Sequence, residues 1–184
     1  MALVFQYGSN LSSRRLNGAD RLQGGACVVG TARTLQCYRL DFTVWSQHNH
    51  CAAADLVADE AGRSIYGVVY EIPERLIYGY HEHMTLDRIE LEGQSYRRES
   101  VAVWMDGGNE LIHAWTYRVR QPQWNLLTQI AYVQHLFIGL KEHAFPDEYR
   151  AYVVDRVLRN NPALQAELFE MINDGRGVDR VQWL

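Results

Sequence analysis

The chain lacks most of what would place it in the large non-globular or cofactor-bearing classes. It has three cysteines, Cys27, Cys37 and Cys51, in 184 residues. An odd count with no Cys-x-x-Cys step gives neither a disulfide framework nor a metal-ribbon ligand set. No uninterrupted apolar run approaches the ~18 residues of a membrane helix. The apolar start, residues 1–5, is too short for a signal peptide and has no basic flank. There is no internal repeat, no low-complexity run and no Gly-x-x-x-x-Gly-Lys loop for a nucleotide. Charge of one sign is scarce too: the formal net charge is -4, and Arg14-Arg15 and Arg97-Arg98 sit among acidic residues. A phosphate backbone is therefore not an expected partner, and neither is a membrane. These absences describe a soluble protein of a reducing, cytoplasmic compartment.

What is present is a core. Apolar residues make up 47% of the chain, and this length folds as one domain, 1–184, burying about two-thirds of its unfolded surface. Residues 3–5 read as a short strand and 11–16 as a short helix stopped by Asn17-Gly18. Strands are expected at 26–34, 36–44 and 64–72, the last being β-branched and aromatic. Residues 46–50 are polar and read as loop. Pro73 fits the first turn of a helix over 74–83. Strands at 96–105 and 111–119 join through Asp106-Gly107-Gly108-Asn109, a strong hairpin signal. Helical spacing of apolar residues then runs from 124 to 143, Pro146 breaks it, and two further helices follow at 147–158 and 162–172. The tail from 173 to 177 reads as loop. Strands first and helices later make the class α+β: a closed or nearly closed sheet with a helical extension from about residue 150.

Several stretches invite chemistry. In Val4-Phe5-Gln6-Tyr7-Gly8-Ser9-Asn10, a strand runs into small polar residues at a helix start. Gly8 allows a tight turn or a close approach of backbone to ligand, consecutive N–H groups can cradle an anion, and Asn10 can cap. An ordinary capped turn fits the same residues. His48-x-His50 and His81-x-His83 could ligate a metal if both members of a pair lay on a strand. Solvated or capping histidines fit as well. Between residues 86 and 93, Asp87, Glu90 and Glu92 stand among apolar neighbours. A buried carboxylate there would have a raised pKa and could act as a base. If Leu91 were extended, Glu90 and Glu92 would point the same way.

Taken together, these stretches resemble the gamma-glutamylcyclotransferase-like family. The resemblance rests on Tyr7-Gly8-Ser9-Asn10-Leu11 after the first strand, and on Leu86-Asp87-x-x-Glu90 with Tyr96-Arg97-Arg98 six residues beyond the Glu. It rests also on a helix from Tyr132 running into Phe145-Pro146-Asp147-Glu148-Tyr149. Leu40-Asp41-Phe42 and the run 65–70 are similar to further family segments. The resemblance covers residue 4 to about 149. It implies a small mixed β-barrel flanked by helices, binding a small-molecule gamma-glutamyl substrate through the turn backbone, with no cofactor and no metal. It implies that a Glu takes a proton from the substrate's α-amine, which attacks its own γ-carbonyl to release 5-oxoproline and an amine or amino acid. By residue match that Glu is Glu90. The substrate-binding set is Val4, Phe5, Gln6, Tyr7, Gly8, Ser9 and Asn10 with Tyr96 and Tyr132. A homodimer is left open.

The chain departs from the family pattern at three places. Glu90 is followed by Leu91, and Glu92-Gly93 supplies the usual Glu-Gly pair. Gln6 stands where a small residue is common. The loop 44–54 has little of the family's glycine. A non-catalytic protein binding a small amino-acid-like ligand on the same fold is the second reading, and a metal-binding protein using the His pairs is the third.

Overall fold

A computed structural model describes residues 1–81, 83–108 and 110–174. Its strands are β1 (Ala2–Gln6), β2 (Cys27–Thr34), β3 (Tyr38–Ser46), β4 (Cys51–Ala58), β5 (Tyr66–Ile72), β6 (Tyr96–Met105) and β7 (Leu111–Val119). Its α-helices are α1 (Ser13–Leu16), α2 (Leu86–Glu90), α3 (Ile130–Glu142), α4 (Asp147–Asn160) and α5 (Gln165–Asn173). Five strands close a barrel in the order β1-β5-β2-β6-β7, while β3 and β4 form a separate two-stranded sheet. Neighbours pair antiparallel except where β7 meets β1 in parallel at Val4 and Trp115, so the barrel is mixed. Closure removes the open edges that a five-stranded sheet would present. The small mixed barrel with flanking helices is as expected for an α+β chain.

The two faces of the barrel wall explain the apolar run in β5. Val68, Val69 and Tyr70 are all buried, because one face points into the barrel and the other is covered. The Tyr70 hydroxyl donates to the Leu11 carbonyl at 3.0 Å, which fastens the chain after β1 to the barrel wall. Helix α3 packs on that same segment. A Cβ on Gly139 would lie 2.4 Å from Leu11 Cβ and 2.7 Å from Ser12 N, so only glycine lets α3 approach so closely.

Four local readings change. The helix expected over 74–83 is not formed by residues 74–81. A single 3-10 turn, Glu74–Leu76, is followed by Gly79 at φ +79, which bends the chain away. Helix α3 starts at Ile130 rather than 124. The preceding segment is held by the end of α4: Thr128 N–H donates to Asn160 Oδ1 at 2.8 Å, and Asn160 Nδ2 and Asn161 Nδ2 donate to the Leu126 and Thr128 carbonyls, each at 2.9 Å. Strand β4 lies partly in the stretch read as a loop, although the turn at 47–50 is as expected. The first helix begins at Ser13, after a 3-10 turn over Ser9–Leu11, with the Ser12 side chain as its cap. It ends at Leu16 as expected, but Asn17 is not left-handed (φ -92). The Asn17 side chain instead brackets the Ala26 backbone with two hydrogen bonds of 2.9 Å. The tail at 175–177 and Asn109 of the hairpin lie outside the described residues. No helix among the described residues is long and apolar enough to cross a membrane.

Candidate active site

At the end of β1 where the chain turns into the 3-10 segment, a cavity of about 350 Å³ opens, a volume within the range of small-molecule sites. Gln6, Tyr7, Gly8, Ser9 and Asn10 form one wall, and Glu90, Tyr96 and Tyr132 lie on the others. Seven of the nine expected substrate-binding residues, and the expected base, thus meet around one space. Val4 and Phe5 do not line it. Both are fully buried in the barrel core, where the Phe5 carbonyl accepts from Thr116 Oγ1 at 3.0 Å. Their part is to place the turn.

Glu90 is the last residue of α2. The Thr85 hydroxyl caps the start of that short helix by accepting from Arg88 N–H, and Leu91 ends it in the left-handed region (φ 51, ψ 52). The left-handed step separates the two glutamates. Glu90 faces the cavity, while Glu92 follows the turn away and does not line it. Glu90 Oε1 accepts from Asn10 Nδ2 at 2.7 Å, and Asn10 Oδ1 accepts from Arg21 Nη1 at 2.9 Å. The relay orients the carboxylate without an ion pair of its own. Burial pushes the Glu90 carboxyl above the usual carboxylate range, opposed by the Arg21 charge, the Asn10 hydrogen bond and the Arg15 charge, in that order. A carboxyl so placed is poised to exchange a proton nearer neutral pH.

Asp87, the other acid of Leu86-Asp87-x-x-Glu90, has a different duty. It is buried, and it accepts from Gly79 N–H at Oδ2 (2.7 Å) and from the Tyr117 hydroxyl at Oδ1 (2.7 Å). Arg98 forms an ion pair with it. With its oxygens occupied by these donors, Asp87 is an anchor for α2 rather than a base.

The tyrosines brace the walls. Tyr7 Oη donates to the Tyr117 carbonyl at 2.5 Å, and Tyr96 Oη donates to the Ala54 carbonyl at 3.0 Å. The Tyr132 hydroxyl accepts from Ala54 N–H at 2.9 Å. Burial pushes Tyr7, Tyr96 and Tyr132 above the usual phenol range, so all three are neutral donors at physiological pH. The Tyr132–Ala54 bond links α3 to β4 beside the turn, where the Tyr132 hydroxyl lies 3.4 Å from the position of a Cβ on Gly8. Tyr132→Phe should cost about 1–3 kcal/mol in urea unfolding, because the buried Ala54 N–H loses its acceptor. It should also slow turnover as the turn loosens. An unchanged unfolding midpoint would show that the Tyr132–Ala54 bond carries no weight.

Gly8 is not there for a left-handed conformation: its φ is -100 and its ψ -147. It is there for space. A Cβ at Gly8 would sit 3.4 Å from both Ala54 Cβ and Tyr132 Oη. Alanine should therefore be accommodated, whereas the branches of valine should push into Tyr132. Gly8→Val should lose turnover while Gly8→Ala retains most of it. Equal activity of the two variants would remove the close-approach argument.

The other expected clusters do not assemble. His81 and His83 stack with ring centroids 5.3 Å apart, His48 and His50 lie in the exposed β3–β4 turn, and no group of three or more metal-ligating side chains gathers among the described residues. Conversely, sequence reading missed Arg21 and Tyr117, both on the cavity wall. No motif marks Arg21. Tyr117 lies on the same face of β7 as the exposed Leu111 and His113, opposite the buried Ala114 and Thr116, so strand alternation does not mark it either. Trp45, Gln47 and His48, from the loop 44–54, form a rim of the cavity.

A closed mixed barrel whose first strand ends in a small-residue turn facing a hydrogen-bonded glutamate defines a barrel protein with a small-molecule cavity at one end of the strands. The chain belongs to the gamma-glutamyl cyclotransferase, AIG2-like family, whose model matches residues 4–135. Among solved structures it is similar to one described as gamma-glutamyl cyclotransferase, at 24% identity and a TM-score of 0.69 over 82% of this chain and 84% of that chain. It is equally similar to uncharacterized protein LOC79017 from Homo sapiens, at 25% identity and a TM-score of 0.69 with the same coverage. YkqA from Bacillus subtilis matches at 23% identity and a TM-score of 0.68, over 85% of this chain and 54% of that one. No curated protein matches the chain.

Proposed function

We propose that the protein is a gamma-glutamyl cyclotransferase, converting a gamma-glutamyl amine, amino acid or peptide into 5-oxoproline and a free amine or amino acid. The observation that carries this reading is Glu90: a carboxyl raised by burial, aimed by Asn10 into a cavity walled by the Tyr7–Asn10 turn.

Glu90 takes a proton from the substrate's α-ammonium. The freed amine attacks the γ-carbonyl carbon, forming the new C–N bond of a five-membered ring. Closure is intramolecular, so proximity supplies much of the rate. The backbone N–H groups of Gly8 and Ser9 are donors of the right kind for the developing oxyanion. As the original γ C–N bond breaks, protons shed by the attacking nitrogen pass to the departing one. The attacking nitrogen loses two in all and the leaving amine gains two, so the reaction balances on the chain's own groups. The three thiols are free, which fits a cytoplasmic site of action.

The test is release of 5-oxoproline from a panel of gamma-glutamyl compounds. Turnover should survive a strong chelator, because the base and the oxyanion donors all belong to the chain. Binding without release across the panel would instead support a non-catalytic binding protein on this fold.

A further inference from the structure

Arg21 stands between α1 and β2, in a stretch that no motif marks. Its neighbour Leu22 is 2% exposed, and the Leu22 N–H donates to the Leu16 carbonyl at 3.1 Å, so the core fixes the backbone from which Arg21 reaches. Arg21 lies on the cavity wall, and its Nη1 donates to Asn10 Oδ1 at 2.9 Å. Asn10 is 4% exposed, and its Nδ2 donates to Glu90 Oε1 at 2.7 Å. These are the two hydrogen bonds of the Asn10 side chain among the described residues.

A buried amide has two orientations, and each suits a different form of the carboxyl it faces. With its nitrogen towards Glu90 it donates, which favours the carboxylate. Turned over, it offers Oδ1, which repels a carboxylate and accepts from a carboxylic acid. A guanidinium has donors and no acceptor, so the Asn10 atom that meets Arg21 must be the oxygen. Arg21 thereby leaves Nδ2 for Glu90. Without Arg21, Oδ1 would be a buried acceptor with no donor, a state relieved by turning towards a protonated Glu90. The Arg21 charge acts in the same sense. It is foremost among the influences that favour the Glu90 carboxylate, ahead of the Asn10 bond and the Arg15 charge. Tyr7, Tyr96, Tyr117 and Tyr132 also interact with Glu90, but burial pushes each phenol up, so they stay neutral. Asp20 and Arg88 share the cavity wall.

Resting on the cyclotransferase reading, we infer that Arg21 is a positioning residue for the reaction: it locks the Asn10 amide in the orientation that holds Glu90 as an ionised base, and bars the orientation that would hold Glu90 as an acid.

The experiment compares wild type with Arg21→Met, which keeps an apolar stem and removes donor and charge, and with Arg21→Lys, which keeps a charged donor. Ionisation of the Glu90 carboxyl is followed by carbon NMR, with Glu90→Gln identifying its signal, and kcat/KM is followed against pH in parallel. Arg21→Met should move the Glu90 titration and the acid limb of kcat/KM upward together. Turnover on that limb should fall about five- to tenfold, the value of one hydrogen bond, and the loss should shrink as pH rises. Arg21→Lys should restore most of the limb. An unmoved Glu90 titration in folded Arg21→Met overturns the inference. So does a loss uniform across pH, with a lower Tm, that Arg21→Lys does not rescue, since that marks a structural role. If Arg21→Met does not fold, Arg21→Gln takes its place: its Glu90 titration should lie above that of Arg21→Lys, and equal titrations overturn the inference. If the titration moves as expected but wild type releases no 5-oxoproline from any substrate, the cyclotransferase reading fails while the hold of Arg21 on Asn10 and Glu90 stands.

Discussion

Glu90→Gln should reduce 5-oxoproline release by about 10²–10⁴, the usual cost of losing a general base, with the protein folded. The amide retains Oε1 as an acceptor for Asn10 Nδ2, which bonds Glu90 at 2.7 Å, so geometry is preserved and only the capacity to take a proton is lost. Stability should not fall either. The folded-state pKa of Glu90 is raised, so its contribution to stability is fully present below the unfolded pKa and is lost as pH rises through the folded one. At neutral pH the ionised, buried carboxylate is therefore a cost, and a neutral amide should leave Tm equal or higher. The same shift sets the pH profile. kcat/KM should rise with pH as Glu90 ionises, with its acid limb above the ordinary glutamate range, and Glu90→Gln should lack that limb. Glu92→Gln should remain near wild type, because the left-handed Leu91 carries Glu92 off the cavity wall. A dead Glu92→Gln beside a live Glu90→Gln would move the base by two positions. Two live variants would sink the proposed mechanism.

Asp87→Ala should destabilise the protein by about 3 kcal/mol, the low end of the cost of removing one member of a buried ion pair. The low end applies because the Arg98 side chain keeps 22% of its exposure and its guanidinium lies 4.6 Å from the Tyr78 ring. Gly79 N–H and the Tyr117 hydroxyl would lose their acceptor as well. The unfolding midpoint in urea should drop with little change in slope. Turnover should fall with it, since the segment Asp87 anchors carries Glu90. A midpoint within 1 kcal/mol of wild type would show that α2 is held by Thr85 and its apolar side chains without the ion pair. Asp87→Asn should lose less, because the amide oxygen can still accept from one of the three donors.

The clearest elements in the sequence were those whose signals are local. The hairpin around Asp106-Gly107-Gly108 joins β6 and β7 with Tyr96 opposite Val119 and Trp104 opposite Leu111, because glycines and alternating apolar residues specify turn and strands without distant help. The end of β1 and the turn after it were legible for the same reason, as was the helix after Pro146. The candidate site was legible in two pieces, Tyr7-Gly8-Ser9-Asn10 and Leu86-Asp87-x-x-Glu90. Their meeting was supplied by resemblance, since spacing along a chain says nothing of proximity across 80 residues.

What only the tertiary structure decided lies where long-range hydrogen bonds or packing override local preference. The apolar spacing from 124 onward suits a helix, but Asn160 and Asn161 take up its backbone groups and hold it out of α3. The alanine-rich 51–54 has weak strand propensity, yet pairing along β3 makes it part of β4. Asp87 and Glu90 are three residues apart with the same kind of neighbours. Burial against Arg98, Tyr117 and Gly79 makes one an anchor, while Asn10 and Arg21 make the other a candidate base. A carboxylate's chemistry is set by the donors that reach it and the water that does not. The sequence by itself determined which acids were available, and the fold decided which one keeps a free face to the cavity.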